Sequence, residues 1–288
     1  MKQLLISTME VGSFYALIAI GYYLILQGAA FFNFAAGGYV MVSGLGAAWA
    51  KQVHGWPAVA AVIFGVGLAV VLSVLTEIIV VRSVERRTEG ELPALIAVVA
   101  ILFVLEQAAG TVFGRRSLPG ARLLTFGPIR IGGFIIPPAG AVLIVVSIVV
   151  LIVLWVWLSR ASHGRMLRAV GDNLVAARRL GFPVARVRLA AFAAAGVAFG
   201  AAGVLIAPKA GIGFGSALGF SLFGFLALVL GGTGAYWAPI LGGYLLAAVQ
   251  IYSSFYLGAA YIDYSTLVLA VILFAFRPEG LVSRQVRL

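Results

Sequence analysis

Few side chains in this sequence are equipped for chemistry, and their types and spacing exclude most of it. Cysteine is absent, so the chain has no disulfide framework, thiolate nucleophile or sulfur-ligated metal. Neither carboxylate pairs nor metal-ligand clusters occur at working spacing. A nucleotide-hydrolysing loop needs a lysine directly after a glycine to reach the phosphates. Lys2, Lys51 and Lys209 are the only lysines, and none follows one. Gly213-Phe214-Gly215-Ser216 loosely resembles the surroundings of a serine nucleophile. The two histidines, His54 at a membrane edge and His163 in a loop, are not placed to activate it. What remains is a set of polar residues within or near apolar blocks: Glu10, Glu77, Glu106 with Gln107, Gln250 and Asp263. Each is costly in a bilayer unless it faces protein or water, so each braces helices or lines a route for a solute. Glu106 is the candidate for a proton-coupling group.

The elements that must hold these residues are membrane spans. Of 288 residues, 63% are hydrophobic and only 10% charged, with a mean hydropathy of +1.12. No soluble protein of this size could cover so much apolar surface. The apolar residues come in blocks of about 20, enough for a helix to cross the hydrocarbon layer. Nine spans are expected, at roughly 4–27, 30–50, 57–81, 92–114, 138–159, 189–208, 217–232, 238–258 and 262–277. The short, glycine-rich block at 217–232 is the candidate for a broken or re-entrant helix. Apolar runs such as Ala141 to Leu154, broken only by Ser147, rule out the alternating pattern of a membrane β-barrel. The first block is too long for a signal-peptide core and reads as a retained span. The fold class is therefore an all-α polytopic bundle of about nine (eight to ten) spans, one transmembrane domain over 1–288.

The net charge of +11 invites a nucleic-acid partner, but the basic residues sit in the gaps between spans. The positive-inside rule accounts for such clusters without a polyanion. It puts 82–91, 160–188 and the C-terminus in the cytoplasm, and an ordered, proline-rich cap at about 115–137 outside. With nine spans the N-terminus is then outside. Gly196 with Gly200, and the run Gly211, Gly215, Gly219, have the four-residue spacing of close helix contacts, read here as packing within one bundle.

The longest internal gap, Ser159 to Pro183, has its own grammar. Asp172 or Asn173 can cap a helix start, and Gly181 can end that helix before Pro183. Between them are barely two turns, with Leu174, Ala177 and Leu180 on one face and Arg178 and Arg179 beside it. So short a helix must be held by packing, either on its own bundle or against a partner.

This gap, Gly164-Arg165-Met166-Leu167-Arg168-Ala169 through Ala176-Ala177-Arg178-Arg179-Leu180-Gly181, resembles the cytoplasmic loop of permease subunits of branched-chain amino acid ABC importers. Asn33-Phe34-Ala35-Ala36-Gly37, Leu230-Gly231-Gly232-Thr233-Gly234 with Pro239-Ile240-Leu241-Gly242-Gly243, and Phe276-Arg277-Pro278-Glu279-Gly280-Leu281 resemble further family segments in the same order. Together the matches cover Tyr15 to Leu281. The sequence departs from the family at Ala36, Gly37 and Gly38, where a polar run is common, and at Ala235 and Ala238.

The resemblance implies a multi-pass protein of a bacterial or archaeal inner membrane, working by alternating access and carrying branched-chain amino acids or related small solutes. Its expected partners are a second homologous permease, two ATP-binding subunits and an external solute-binding protein, besides membrane lipid. ATP and Mg²⁺ would bind those ATP-binding subunits, with no cofactor or catalytic residue on this chain. By carry-over Gly164, Arg165, Arg168, Asp172, Asn173, Ala176, Ala177, Arg178, Arg179, Leu180 and Gly181 would contact the ATPase. Asn33, Phe34, Gly37, Gly38, Glu106, Gly231 and Gly232 are the candidates for the pathway. The alternative is a secondary transporter coupled to protons through Glu106.

Overall fold

The computed structural model describes residues 2–85, 92–124, 127–131, 134–277 and 279–282. Eight helices among them are long and apolar enough to cross a membrane. In chain order the elements are α1 (Lys2–Ala29), α2 (Ala36–Gln52) and α3 (Ala58–Leu75). From α3 a π-helical stretch (Thr76–Val81) leads into α4 (Arg82–Glu85), followed by α5 (Leu92–Val112). A short antiparallel hairpin, β1 (Ile129–Ile131) with β2 (Phe134–Ile136), precedes α6 (Pro138–Arg160). Then come α7 (Ser162–Asp172), α8 (Leu174–Arg179), α9 (Val184–Ala210), α10 (Ala217–Gly231), α11 (Ala238–Tyr256) and α12 (Ile262–Phe276). The structure is an all-α polytopic bundle, with the hairpin capping one end.

Side-chain pairings fix the direction of the helices. At the hairpin end, Gln3 of α1 donates to the carbonyl of Ile135 at 3.0 Å. Glu10 of α1 meets Lys209, at the close of α9, and Gly140, at the start of α6. At the opposite end, called the loop end, Gly28 of α1 packs against Leu167 of α7 and Ala191 of α9. Hence α1 and α6 run one way and α9 the other. The core lies around α1, α2 and α9, whose Leu17, Tyr22, Tyr39, Phe192 and Phe199 are fully buried. The outer helices α3, α5, α6 and α12 each present a row of exposed aliphatic side chains to the outside, as lipid permits.

The broken span is not where the sequence placed it. Residues 214–231 form one short 3₁₀ turn running into α10. The interruption falls at 30–35, where Ala30 takes φ +58° and the chain leaves helical geometry until Ala36. The expected helix at 30–50 therefore becomes a non-helical entry plus a 17-residue helix that starts beside Phe199 and Ser221, inside the bundle. The glycines also divide. On α9, Gly196 and Gly200 lie where an added Cβ would be 2.7 Å and 2.9 Å from the Cα atoms of Val70 and Val66, so they are the packing seam with α3. The run Gly211, Gly215, Gly219 is no seam: Gly211 turns the chain at φ +69°, and Gly219 faces open space. Pro278 of the C-terminal motif, residues 86–91 and the basic residues after 282 lie outside the described residues.

Candidate functional site: the loop-end helices and the broken span

The loop 160–183 folds as two helices, where the sequence indicated only one. α7 is amphipathic, burying Gly164, Leu167 and Val170 while Ser162, His163, Arg165 and Arg168 stay outside. At Gly164 a Cβ would collide with the carbonyl of Trp157, so only glycine lets α7 fold back on the end of α6. Arg165 donates to the carbonyl of Arg160, and Arg168 donates to that of Ser159 at 3.3 Å. Both arginines thus satisfy the orphan carbonyls that end α6. Asp172 closes α7, and at its next-to-last residue Gly171 packs on Gln27 of α1.

Asn173 begins α8. Its Oδ1 accepts the backbone N–H of Ala176 at 2.9 Å, an N-cap. Gly181 takes φ +77° and ends the helix, as its position indicated. The apolar face splits in two. Ala177 is buried in the core and Leu174 packs against it, which seats the helix on its own bundle. Leu180 is 73% exposed, beside the exposed Arg178 and Arg179. Neither guanidinium has a hydrogen-bond or ion-pair partner among the described residues. Ala176 is half-buried between the two surfaces.

The seven pathway candidates form three groups. In the first, Asn33 is fully buried, its Oδ1 accepting from the N–H of Ala35 at 3.1 Å and its Nδ2 donating to the Tyr39 hydroxyl at 3.3 Å. Phe34 meets the ring of Tyr22 edge-on and that of Phe225 at a tilt. Gly37 lies so close to α10 that an added Cβ would strike the carbonyl of Ala217 and approach the Ser221 nitrogen to 2.5 Å. Ser221 is the residue that sequence reasoning missed. Its hydroxyl donates to the carbonyl of Phe34 at 2.6 Å and accepts from the N–H of Gly37 at 2.9 Å. Non-helical backbone survives in a bilayer only when such groups are satisfied by protein, and one serine does this on both sides of the break. A lone serine in an apolar block gives little warning of that role.

The second group is Gly38, against Leu105 of α5, with Glu106 next in sequence. Glu106 is half-buried, its Oε1 3.7 Å from where a Cβ on Gly215 would lie. Gln107 and Thr111, beside it, are exposed on the outer face of α5. The third group, Gly231 and Gly232, sits at the loop end. The N–H of Val282 donates to the carbonyl of Gly231 at 3.0 Å, and that of Leu281 to Leu230 at 2.9 Å. These glycines admit the C-terminal segment and the start of α11, and are not beside Asn33. In the same α10–α11 connection, burial, helped by Tyr23, holds the Tyr236 phenol above its usual pKa, and its OH donates to the carbonyl of Leu151 at 2.8 Å.

Comparison with known proteins bears on what such an arrangement does. The family model described as branched-chain amino acid transport system / permease component matches residues 4–276. The chain is 27% identical over 297 residues to the high-affinity branched-chain amino acid transport system permease protein BraD of Pseudomonas aeruginosa, covering 98% of this chain and 95% of that one. It is 28% identical over 298 residues to the corresponding protein LivH of Escherichia coli strain K12, with the same coverage. The autoinducer 2 import system permease protein LsrC of an Enterobacter species is 31% identical over 171 residues, 55% of this chain and 47% of that one. Matched from the first span to the last, this multi-pass membrane chain belongs to the family of branched-chain amino acid transport system permease components.

Proposed function

We propose that this chain is one of two membrane-spanning permease subunits of an ATP-driven importer for branched-chain amino acids or related small solutes. ATP and Mg²⁺ would bind two separate ATP-binding subunits, and a solute-binding protein would deliver the cargo at the hairpin end. The observation that carries this reading is the mounting of α8: one side is seated in the core through Ala177, while Arg178, Arg179 and Leu180 stand free. An aliphatic residue flanked by two unpaired cations suits a cleft with an apolar floor and acidic rim. The loop end is then cytoplasmic, in keeping with its arginines.

Motion of a docked ATPase would pass from α8 to α7, which rests on α1, α6 and α9. Helix α1 borders the break at 30–35 through Tyr22 on Phe34, and α9 reaches Tyr39, just beyond it, through Phe199, so the lever ends beside the least regular part of the bundle. A change in the ATPase dimer would thus bias two arrangements of the helices around that break. The exposed Gln107 and Thr111 on the outer face of α5, beside the half-buried Glu106, support a second permease or a solute route there, because lipid is a poor neighbour for them. The relatives are permease components of import systems, and none favours a proton-coupled carrier.

The test is charge reversal at the free pair, Arg178→Glu with Arg179→Glu. Both side chains are exposed, so the chain is expected to fold and insert normally. The ATP-binding subunit should no longer co-purify, and ATP-dependent L-leucine uptake into proteoliposomes should fall by roughly ten-fold or more. Full uptake with a stoichiometric ATPase would refute the docking assignment.

A further inference from the structure

At the hairpin end a cavity of about 600 Å³ opens between α1, α6, α9 and the segment at 121–124, away from both the broken span and α8. That is the size range of small-molecule sites. Its walls are largely aliphatic, among them Leu123, Val142, Val204 and Leu205, and its charged members are Glu10, Lys209 and Arg122. Glu10 is 2% exposed, and the ammonium of Lys209 donates to its Oε2. The other oxygen, Oε1, has no hydrogen-bond donor and is pressed against Gly140, where a Cβ would overlap it. Glu10 therefore faces the ion pair and the α6 backbone, and holds Lys209 in place at the cavity wall. The Lys209 side chain remains 31% exposed, and Arg122 is exposed with no hydrogen-bond or ion-pair partner among the described residues.

One buried carboxylate against two cations leaves an excess of positive charge over an aliphatic pocket. We infer that this cavity binds a ligand combining one anionic group with an aliphatic body, the anion held by Arg122 and Lys209 and the body by the Leu and Val walls. Glu10 is a positioning residue here and not a ligand contact. An additional ammonium on the ligand gains nothing, because the one acceptor is already occupied by Lys209 and walled in by Gly140. A branched aliphatic carboxylate without an amino group therefore fits at least as well as the corresponding amino acid. A membrane-derived anion, the phosphate of an acidic phospholipid with its acyl chain, presents the same chemistry. The inference stands on the cavity alone and does not depend on docking of an ATPase.

The test uses the full chain with whatever subunits co-purify, reconstituted in phosphatidylcholine nanodiscs. Radiolabelled 4-methylpentanoate is titrated by equilibrium dialysis, with L-leucine as competitor. In parallel, native mass spectrometry of chain reconstituted with equal phosphatidylglycerol and phosphatidylcholine reads lipid retention. Arg122→Gln removes an exposed side chain, and Glu10→Gln with Lys209→Met removes both members of the pair, so neither variant strands a buried charge. The expected result is saturable binding of 4-methylpentanoate, no weaker than that of L-leucine, or selective retention of phosphatidylglycerol. Either should weaken by roughly ten-fold in each variant, the scale of one charge-assisted contact. Saturable carboxylate binding marks a free solute as the source, and retention alone marks lipid. Neither signal, a signal unchanged in both variants, or L-leucine binding that clearly exceeds the carboxylate and is lost with Glu10 would overturn the inference.

Discussion

The two ends of the bundle each bury a glutamate against a basic residue distant in sequence, and they treat it in opposite ways. At the loop end, Glu77 is fully enclosed and both of its oxygens are taken. Its Oε1 accepts from Arg188 Nε at 2.7 Å, and its Oε2 accepts from Arg82 at 3.2 Å. The ion cluster closes the joint where the π-helical stretch meets α9. At the hairpin end, Glu10 has one oxygen engaged and one idle, its cation is partly exposed, and a cavity lies alongside. A saturated, enclosed cluster is a brace; a pair whose cation is partly exposed beside empty volume leaves that cation available to a ligand. The same pairing of residue types thus serves two ends, and the exposure of the cation separates them.

The comparison breaks most readily at Glu77. Glu77→Leu would take from Arg188, itself almost enclosed, the carboxylate it meets at 2.7 Å, with an expected cost of about 3–5 kcal/mol. The measurement is the thermal midpoint of the purified chain in mild detergent. Adding Arg188→Leu should restore much of the loss, since neither charge is then stranded. Glu10→Leu is the sharper half of the test. Lys209 is partly exposed and can turn to water, so the expected loss is smaller, roughly 1–3 kcal/mol. If Glu10→Leu destabilised as much as Glu77→Leu, the hairpin-end pair would be a brace as well and the contrast would fail.

How much of this was readable beforehand follows from the range of each interaction. Span positions are local sums of hydropathy, and eight of the nine expected blocks became helices of spanning length. The break at 30–35 escaped because Ala30, Phe31 and Phe32 are apolar and extend the second block without a seam. Its local signals were Asn33 and the Gly37-Gly38 pair, while the deciding group, Ser221, lies 184 residues from Gly37. α7 escaped because its arginines make it read as a polar gap, although its buried face recurs at three-residue steps through Gly164, Leu167 and Val170. The α8 cap at Asn173 and stop at Gly181 were legible, being purely local chemistry. Neither ion cluster was, because Arg188 is 111 residues from Glu77 and Lys209 is 199 from Glu10.

The smallest expected effect lies at the loop end, between the brace and the free arginines. Asn173→Ala removes the Oδ1 that accepts the N–H of Ala176, and an N-cap of this kind is worth about 1 kcal/mol. The whole chain would hardly register it, because Leu174 and Ala177 still seat the helix and the Glu77 cluster is untouched. A helix of six residues has little else of its own, so the loss should appear locally. Amide hydrogen exchange should rise several-fold across 174–180 while α7 and α9 stay protected, which follows from a free-energy change of that size confined to one unit. If α8 is the lever, L-leucine uptake should fall even though the thermal midpoint holds, because Arg178 and Arg179 would be presented on a fraying helix. Asn173→Asp retains a capping oxygen and should restore both readings. Exchange that spread into α7 and α9 would mean that cap and brace form one cooperative unit, and that the loop end is rigid as a whole and not merely at its joint.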